Sequence, residues 1–155
     1  MIYSFVSRLI MEIENREARF NYSIEDTIES GIVLVGSEVK SIRLGKMSLK
    51  DSFVRIAGGE VFLVNSHIAT YEKASSFVPD TRRTRKLLLH KAQIARLEKR
   101  TSEKGYALVP LKVYFVKGNA KLLLGIGKGK KLFDKKETIK NRDINRQLKR
   151  DLKNA

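Results

Sequence analysis

The sequence contains no cysteine and no tryptophan, and it has only two histidines in 155 residues. Without cysteine there is no disulfide framework, no thiolate metal site and no thiol nucleophile, which fits a reducing cytoplasm. No apolar run approaches the roughly 20 residues that a membrane-spanning helix needs. Residues 1–11 are apolar but short, contain Arg8 and lack a small-residue cleavage site, so we expect no signal peptide. These absences favour a soluble cytoplasmic protein.

The sequence also lacks a recognisable catalytic constellation. His67 and His90 are far apart in the chain, and no cluster of carboxylates near them completes a metal site. Residues 125–131 (GIGKGKK) resemble a phosphate-binding loop, but the glycine spacing is short and Lys131 stands where Ser or Thr must bind magnesium. We therefore expect no enzyme, no cofactor and no metal. An RNA-cleaving enzyme that uses the two histidines stays open as an alternative.

Acidic residues are scarce in the second half of the chain. Residues 1–79 contain nine Lys and Arg and ten Asp and Glu, whereas residues 80–155 contain 23 and seven. The cations cluster at 82–86, at 128–136 and from 142 onward. Such asymmetry favours a polyanion as partner, because each phosphate that Lys or Arg neutralises releases condensed counterions. A solvated charged surface and an acidic membrane are the alternatives, and the membrane is disfavoured because no segment pairs this charge with a strongly apolar helix face.

Hydrophobic periodicity predicts a mainly β fold. Apolar residues alternate at 20–24, a continuous apolar run covers 32–35, and paired glycines join residues 53–56 to 61–64 in a hairpin. Residues 37–45 predict a short helix capped by Ser37. About five strands around one helix indicate a small OB-fold-like barrel rather than a parallel α/β sheet.

The second half predicts a helix at 91–104, with Ile94 and Leu97 facing inward, and then a hairpin that turns at residues 118–119. Pro110 lacks an N–H group, so we expect its strand to begin at a sheet edge.

The last 28 residues hold eleven Lys and Arg and four Asp and Glu. Ile144, Leu148 and Leu152 form one narrow apolar seam on a cationic helix. We expect a basic tail that is mobile in the free protein and helical against a negative surface. A helix docked on the barrel through that seam is the alternative.

Residues 78–90 (VPDTRRTRKLLLH) resemble the signature of the SmpB family, the SsrA-binding proteins of bacterial ribosome rescue. The resemblance continues in order through 29–31, 36–41, 49–52, 105–106, 127–131, 134–137 and 139–140. It implies an OB-type RNA-binding domain at 11–131 with flanking helices, a basic C-terminal tail at 132–155, and an unmatched extension at 1–10. We expect translation to start at Met11.

The resemblance implies an adaptor that binds the tRNA-like domain of transfer-messenger RNA (tmRNA, or SsrA RNA). It implies delivery to the A site of a stalled ribosome, where the tail becomes helical and enters the vacant mRNA channel by way of the small-subunit decoding centre. Elongation factor Tu would be an indirect partner through aminoacylated tmRNA, and the protein would be a monomer. A general basic OB-type RNA-binding or ribosomal protein is the alternative, since a barrel with this charge suffices for it.

Candidate RNA-binding residues follow from the charge runs and from the resemblance. The charge runs select cations at the rim of the barrel, and the resemblance links Glu29, Leu88 and Lys121 to RNA binding. The full candidate set is Asn15, Arg16, Arg19, Glu29, Arg82, Arg83, Arg85, Lys86, Leu88, Lys121, Lys128, Lys130 and Lys131. The ribosome-binding candidates in the tail are Asp134, Lys135, Lys136, Lys140, Arg142 and Arg146.

Three positions depart from the family pattern. Leu132 and Phe133 replace a Gln-His pair. The Phe133 ring can still stack on a base, but unlike histidine it cannot be protonated or donate a hydrogen bond. Lys136 replaces an arginine and lacks the bidentate guanidinium fork. Ile144 replaces a tryptophan, which removes a stacking group from the tail.

Overall fold

The structure, a computed structural model, describes residues 12–73 and 77–154, with the backbone alone at 132–134. The expectation about Met11 concerns residues outside this part. In chain order the elements are β1 (Ile13–Glu14), α1 (Ala18–Asn21), β2 (Tyr22–Ile32), α2 (Gly36–Arg43), β3 (Met47–Ser48), β4 (Phe53–Ala57), β5 (Glu60–Val64), β6 (His67–Ile68), β7 (Arg85–Leu88), α3 (Lys91–Ser102), β8 (Tyr106–Val116), β9 (Asn119–Gly129) and α4 (Leu132–Asn154).

Seven strands form one antiparallel sheet in the order β1-β8-β9-β2-β7-β5-β4, and β3 pairs with β6 in a separate ladder. The sheet curls so that β4, at one edge, packs against β8, which lies beside the other edge. Among the described strands, β1 and β4 do not pair with each other, so the curl is not closed by hydrogen bonds. The prediction of a mainly β fold with flanking helices is confirmed.

Strands β8 and β9 form a long hairpin, which confirms the predicted pairing of these segments. Its turn residues are Lys117 and Gly118, both with positive φ, one position before the predicted turn at 118–119.

Contrary to the prediction, Pro110 does not begin its strand, because β8 starts at Tyr106. It lies within β8, buried, where the register between β8 and β9 shifts. Among the described strands, β1 pairs with β8 only at residues 112 and 113, so at Pro110 the strand pairs with β9 alone. Proline is tolerated there because the ladder with β9 is already interrupted by the bulge.

The glycine-rich run at 125–129 belongs to strand β9. A Cβ atom at Gly127 would overlap the carbonyl oxygen of Ser23 on β2. Glycine at this position therefore permits a close approach of two paired strands, which explains a pattern that resembles a phosphate-binding loop.

The first half of the chain differs from the prediction in strand boundaries. A single strand, β2, runs through the region where two were expected, and Phe20 lies in the short helix α1 before it. The apolar residues 33–35 follow the end of β2: the Val33 N–H still donates to the Lys86 carbonyl oxygen on β7 at 2.9 Å, and Val35 is the N-cap of α2. The β4–β5 hairpin and the helices α2 and α3 are confirmed.

Buried aliphatic side chains from both halves of the sheet form a continuous core between the curled strands and the helices. Ile42 closes it from α2, while Ile94 and Leu97 close it from α3. Among the described residues of α4, none belongs to these core clusters, and its seam residues Ile144, Leu148 and Leu152 are exposed. The tail is thus helical here without docking through the seam, and its mobility in the free protein stays a prediction.

Candidate nucleic-acid interface

Four predicted cations follow one another around the start of β7, and the structure divides them into two pairs. Arg82 and Lys86 are exposed. Arg83 and Arg85 turn instead toward Glu38 on α2, at 2.6 Å in each case. The strand alternation of β7 explains part of this division, because residues 85 and 87 face the core while 86 and 88 face outward.

Arg85 is completely buried, which corrects its assignment as an RNA-binding residue. Its Nε and Nη2 donate to Glu38 Oε2 at 2.8 and 2.6 Å, and its Nη1 donates to the carbonyl and hydroxyl oxygens of Ser66 at 2.9 Å each. Nη2 also donates to the carbonyl oxygen of Thr81 at 3.2 Å. With its donors engaged inside the protein, Arg85 organises the segment before β7 and does not reach a phosphate.

Glu38 joins this ion pair to the start of α2. Its Oε1 accepts the backbone N–H of Val35 at 3.0 Å, so Glu38, and not Ser37 as predicted, satisfies a free donor at the start of the helix. Burial opposes ionisation of the carboxyl group, but hydrogen bonds from Arg83, the Val35 N–H and Arg85 outweigh it and lower the pKa of Glu38. A buried carboxylate therefore holds both arginines.

The three residues that the family resemblance selects lie together around one surface depression. Glu29 and Lys121 come from the paired strands β2 and β9, and Leu88 comes from the end of β7. Gly31, Leu89, His90 and Gln93 complete the lining. An ammonium group, an exposed leucine and a carboxylate thus converge in one concave site.

Leu88 is 54% exposed, although a leucine on a strand is usually a core residue. Leu87 takes the core position beside it. A Cβ atom at Gly31 would stand 3.1 Å from the Leu88 Cβ, so the glycine leaves room for the leucine to lie across the strand. The exposure of Leu88 favours a role in contacting a ligand over a role in packing.

Tyr114, which the sequence patterns did not single out, donates a short hydrogen bond from its hydroxyl to Glu29 Oε2. Burial, and then the hydrogen bond and charge of Glu29, raise the pKa of Tyr114. Tyr114 also pairs in register with Lys121 across the β8–β9 hairpin. Counting back from the predicted turn at 118–119 places Tyr114 opposite Leu123, so the shift of the turn by one residue hid this pair from the sequence.

Lys128, Lys130 and Lys131 surround the junction between β9 and α4. The Lys128 ammonium lies 4.8 Å from the centroid of the Tyr106 ring, and Lys130 Nζ donates to Thr138 Oγ1 at 2.8 Å. The first of these cations is exposed on the sheet, while the second links the sheet to the tail helix.

Asn15, Arg16 and Arg19 lie before the start of β2, around α1. Asn15 donates from Nδ2 to the carbonyl oxygen of Pro110 at 2.9 Å, and its backbone N–H donates to that of Leu111 at 2.8 Å. Asn15 therefore fixes this segment to β8. Arg16 and Arg19 are exposed.

The tail candidates all belong to α4. Lys135 and Arg142 lie over the ring of Phe20, at 5.9 and 5.4 Å from its centroid. Lys136, Lys140 and Arg146 are exposed. Asp134 lies in the first turn of the helix, and its side chain is outside the described part.

Histidines and carboxylates form no group of three or more with metal-binding geometry among the described residues. The helices within those residues include none that is both long enough and apolar enough to cross a membrane.

Comparison with known proteins identifies the family. A model of the SmpB family, described as "SmpB protein", matches residues 12–154. The chain belongs to the SmpB family. The match includes both the curled sheet and α4, so the SmpB resemblance of the sequence extends over nearly the whole chain.

Two relatives of this SmpB-family chain are called "SsrA-binding protein". The one from Staphylococcus saprophyticus subsp. saprophyticus is 54% identical over 140 residues, which are 90% of this chain and 91% of the relative. The one from Enterococcus hirae is 55% identical over 141 residues, which are 91% and 92%. A solved structure described as "tmRNA-SmpB: a journey to the center of the bacterial ribosome" is 52% identical, with a TM-score of 0.66, and covers 78% of this chain and 85% of its own.

Proposed function

We propose that this SmpB-family chain is a non-enzymatic RNA adaptor that binds the tRNA-like domain of tmRNA and delivers it to the A site of stalled ribosomes. The observation that carries the proposal is the depression that gathers Glu29, Leu88 and Lys121. Its relatives are called SsrA-binding proteins, and a similar chain occurs in a structure described by tmRNA, SmpB and the bacterial ribosome. The adaptor acts as a monomer in the cytoplasm, and elongation factor Tu joins it indirectly through aminoacylated tmRNA.

Each side chain of the depression suits a different part of a nucleotide. Lys121 neutralises a backbone phosphate, and Leu88 packs on an unstacked base or a ribose. Glu29 uses Oε2 to accept the hydroxyl of Tyr114, and its Oε1 has no partner among the described residues. That oxygen is available to accept a ribose hydroxyl, which is a group that distinguishes RNA from DNA.

The tail completes the proposal. Its candidates Asp134, Lys135, Lys136, Lys140, Arg142 and Arg146 enter the vacant mRNA channel, where the cations among them contact ribosomal RNA. The exposed seam of α4 and the absence of described α4 residues from the core clusters support a helix that can leave the sheet. The tail is mobile in the free protein under this proposal.

The test of this function is the RNA that the protein retains. We expect tmRNA to dominate the RNA that co-purifies with the chain from its native cytoplasm at physiological salt. Excess unrelated tRNA or single-stranded RNA should fail to displace it. Recovery of random RNA that elutes at modest salt would instead indicate a general basic RNA-binding protein.

Leu88→Ala should weaken binding of the tRNA-like domain about tenfold, because an exposed leucine that packs on a nucleotide buries its apolar surface only in the complex. The free energy of unfolding should hardly change. Leu44→Ala is the matched control, since Leu44 is 60% exposed and lies outside the depression. Equal affinities of the two variants, measured by filter binding, would contradict the role of Leu88.

The double variant Arg82→Gln/Lys86→Gln should bind tmRNA less tightly and with a weaker salt dependence. Both side chains are exposed, and the slope of log K against log salt should fall by about one for each phosphate that is no longer neutralised. Arg55→Gln/Lys73→Gln removes the same charge from the near-neutral half of the chain and serves as the control. An unchanged slope in the first variant would remove this rim from the interface.

A further inference from the structure

A cleft separates the α1 segment from the tail helix, and arginines line both of its walls. Arg16 and Arg19 come from the body, and Arg142 and Arg146 come from α4. Asn15, Leu111, Lys112, Leu123 and Glu14 complete the lining. Body and tail each contribute one pair of guanidinium groups to a single cavity.

The charge of this cleft is largely uncompensated. Within the part of the chain that the structure describes, none of the four arginines forms an ion pair with a carboxylate. Lys112 is paired with Glu12 at 3.4 Å, and Glu14 is the one carboxylate among the described lining residues. Four guanidinium groups around one cavity repel one another. An anion bound between them is attracted to all four and offsets that repulsion.

Other contacts hold α4 in place without neutralising it. The ring of Phe20 receives Arg142 at 5.4 Å and Lys135 at 5.9 Å, and Lys130 donates to Thr138 near the start of the helix. These contacts involve the first half of α4 and keep Arg142 beside the body. The backbone that carries Arg16 and Arg19 is fixed separately by the bonds of Asn15 to β8.

We propose that this cleft binds a backbone phosphate of RNA, held jointly by the arginine pair of the body and the pair of the tail. Guanidinium groups bind phosphate oxygens through paired N–H donors, and two pairs on opposite walls surround the group. The proposal rests on the proposed function only in taking RNA as the ligand.

The cleft is distinct from the depression around Leu88. The two sites share no lining residue, but they adjoin on one face of the sheet. Leu123 of the cleft pairs in register with Glu29 of the depression, and the Lys112 ammonium lies 5.5 Å from the centroid of the Tyr114 ring, whose hydroxyl donates to Glu29. The cleft therefore adds a further phosphate contact beside the depression.

The site exists only while α4 lies against α1. A phosphate bound in the cleft therefore favours the docked helix, and by reciprocity a docked helix favours the phosphate. Entry of the tail into another RNA surface requires that the cleft release its phosphate. Phosphate binding at the cleft and insertion of the tail into another RNA surface therefore exclude each other, because both require the same helix, α4.

A double-mutant cycle tests the shared phosphate. Binding of fluorescein-labelled octauridylate to the full-length chain is measured by anisotropy at low salt for R16Q/R19Q, for R142Q/R146Q and for the quadruple variant. Each pair should cost about tenfold in affinity, and the quadruple variant should be hardly weaker than either pair, because both pairs hold one group. K149Q/R150Q removes the same charge from exposed residues outside the cleft lining and should cost clearly less.

A multiplicative loss in the quadruple variant would overturn the proposal, since it would mean that the pairs bind RNA independently. An equal loss in K149Q/R150Q would overturn it as well, because general charge would then explain the effect.

The position of the helix gives a second readout. The chain has no native cysteine, so Thr27→Cys/Asn154→Cys introduces two unique sites for a fluorophore pair. Octauridylate should change energy transfer in the labelled parent, and R16Q/R19Q should abolish that change although neither arginine belongs to the tail. The same change in both proteins would contradict a shared site.

The proposed function has an independent readout. Selective retention of tmRNA at physiological salt should survive in all cleft variants, because the depression is intact in them. Loss of this selectivity in the parent itself would contradict the proposed function. It would not change the octauridylate affinities that the double-mutant cycle compares.

Discussion

Glu38→Gln is expected to lower the free energy of unfolding by about 3–5 kcal/mol. The substitution keeps the shape of the side chain but removes the charge that neutralises Arg85, which is completely buried. A buried guanidinium group has lost its hydration, and without its carboxylate it gains little electrostatic stabilisation to offset that loss. Arg83 is deprived of its partner at the same time, and the segment before β7 is no longer held to α2 by an ion pair.

The control for this variant is Glu60→Gln. Glu60 forms an ion pair with Lys86 at 3.1 Å, but both side chains are about half exposed. Water and salt screen such a pair, so its loss should change the free energy of unfolding by at most about 1 kcal/mol. Urea unfolding of both variants measures the difference, and similar values for the two would contradict a structural role for the buried pair.

Acid titration provides a related prediction about the same carboxylate. The folded-state pKa of Glu38 lies below its ordinary value of 4.5. A group with a lowered pKa contributes its full stabilisation above the unfolded-state value and loses it as the pH falls toward the folded-state value. The parent should therefore lose stability below about pH 4.5 more steeply than Glu38→Gln, which lacks this group. Parallel pH profiles of unfolding would show that Glu38 titrates normally.

Local patterns predicted the elements whose stabilising contacts are close in sequence. The β4–β5 hairpin, the β8–β9 hairpin and the helix α3 each follow from residue alternation, turn residues or a helical apolar face. Pairing between strands that are distant in sequence determined the remaining strand boundaries. β2 runs through a polar stretch because β9 pairs along most of its length, and Pro110 lies inside β8 because a bulge accommodates it.

The candidate site was predictable to the extent that charge alone defines it. Arg82 and Lys86 are exposed as the cationic run suggests, but the same run could not show that Arg85 faces a carboxylate almost fifty residues earlier in the chain. Strand alternation separates the two classes only when the position of the core is known. The grouping of Glu29, Leu88 and Lys121 came from family resemblance, since no local pattern brings three separate strands together.

Removal of residues 132–155 is expected to leave binding of the tRNA-like domain nearly unchanged and to abolish peptidyl transfer to tmRNA on stalled ribosomes. The depression is formed by β2, β7, β9 and α3, without a described residue of α4. The described core clusters also contain no residue of that helix, so the truncated sheet should keep its fold. The cleft loses one wall in this variant, whereas the lining of the depression stays complete.

The measurement is transfer of a nascent peptide to tmRNA during translation of a message without a stop codon. A full-length variant with Ile144→Ala and Leu148→Ala is the matched control, because it keeps every tail cation and removes two exposed apolar groups. It should retain most of the activity, since the affinity of a cationic helix for ribosomal RNA depends mainly on charge. If the truncated chain loses its affinity for the tRNA-like domain, the tail belongs to the same interface as the depression. If it still supports transfer, the sheet alone carries tmRNA into the ribosome.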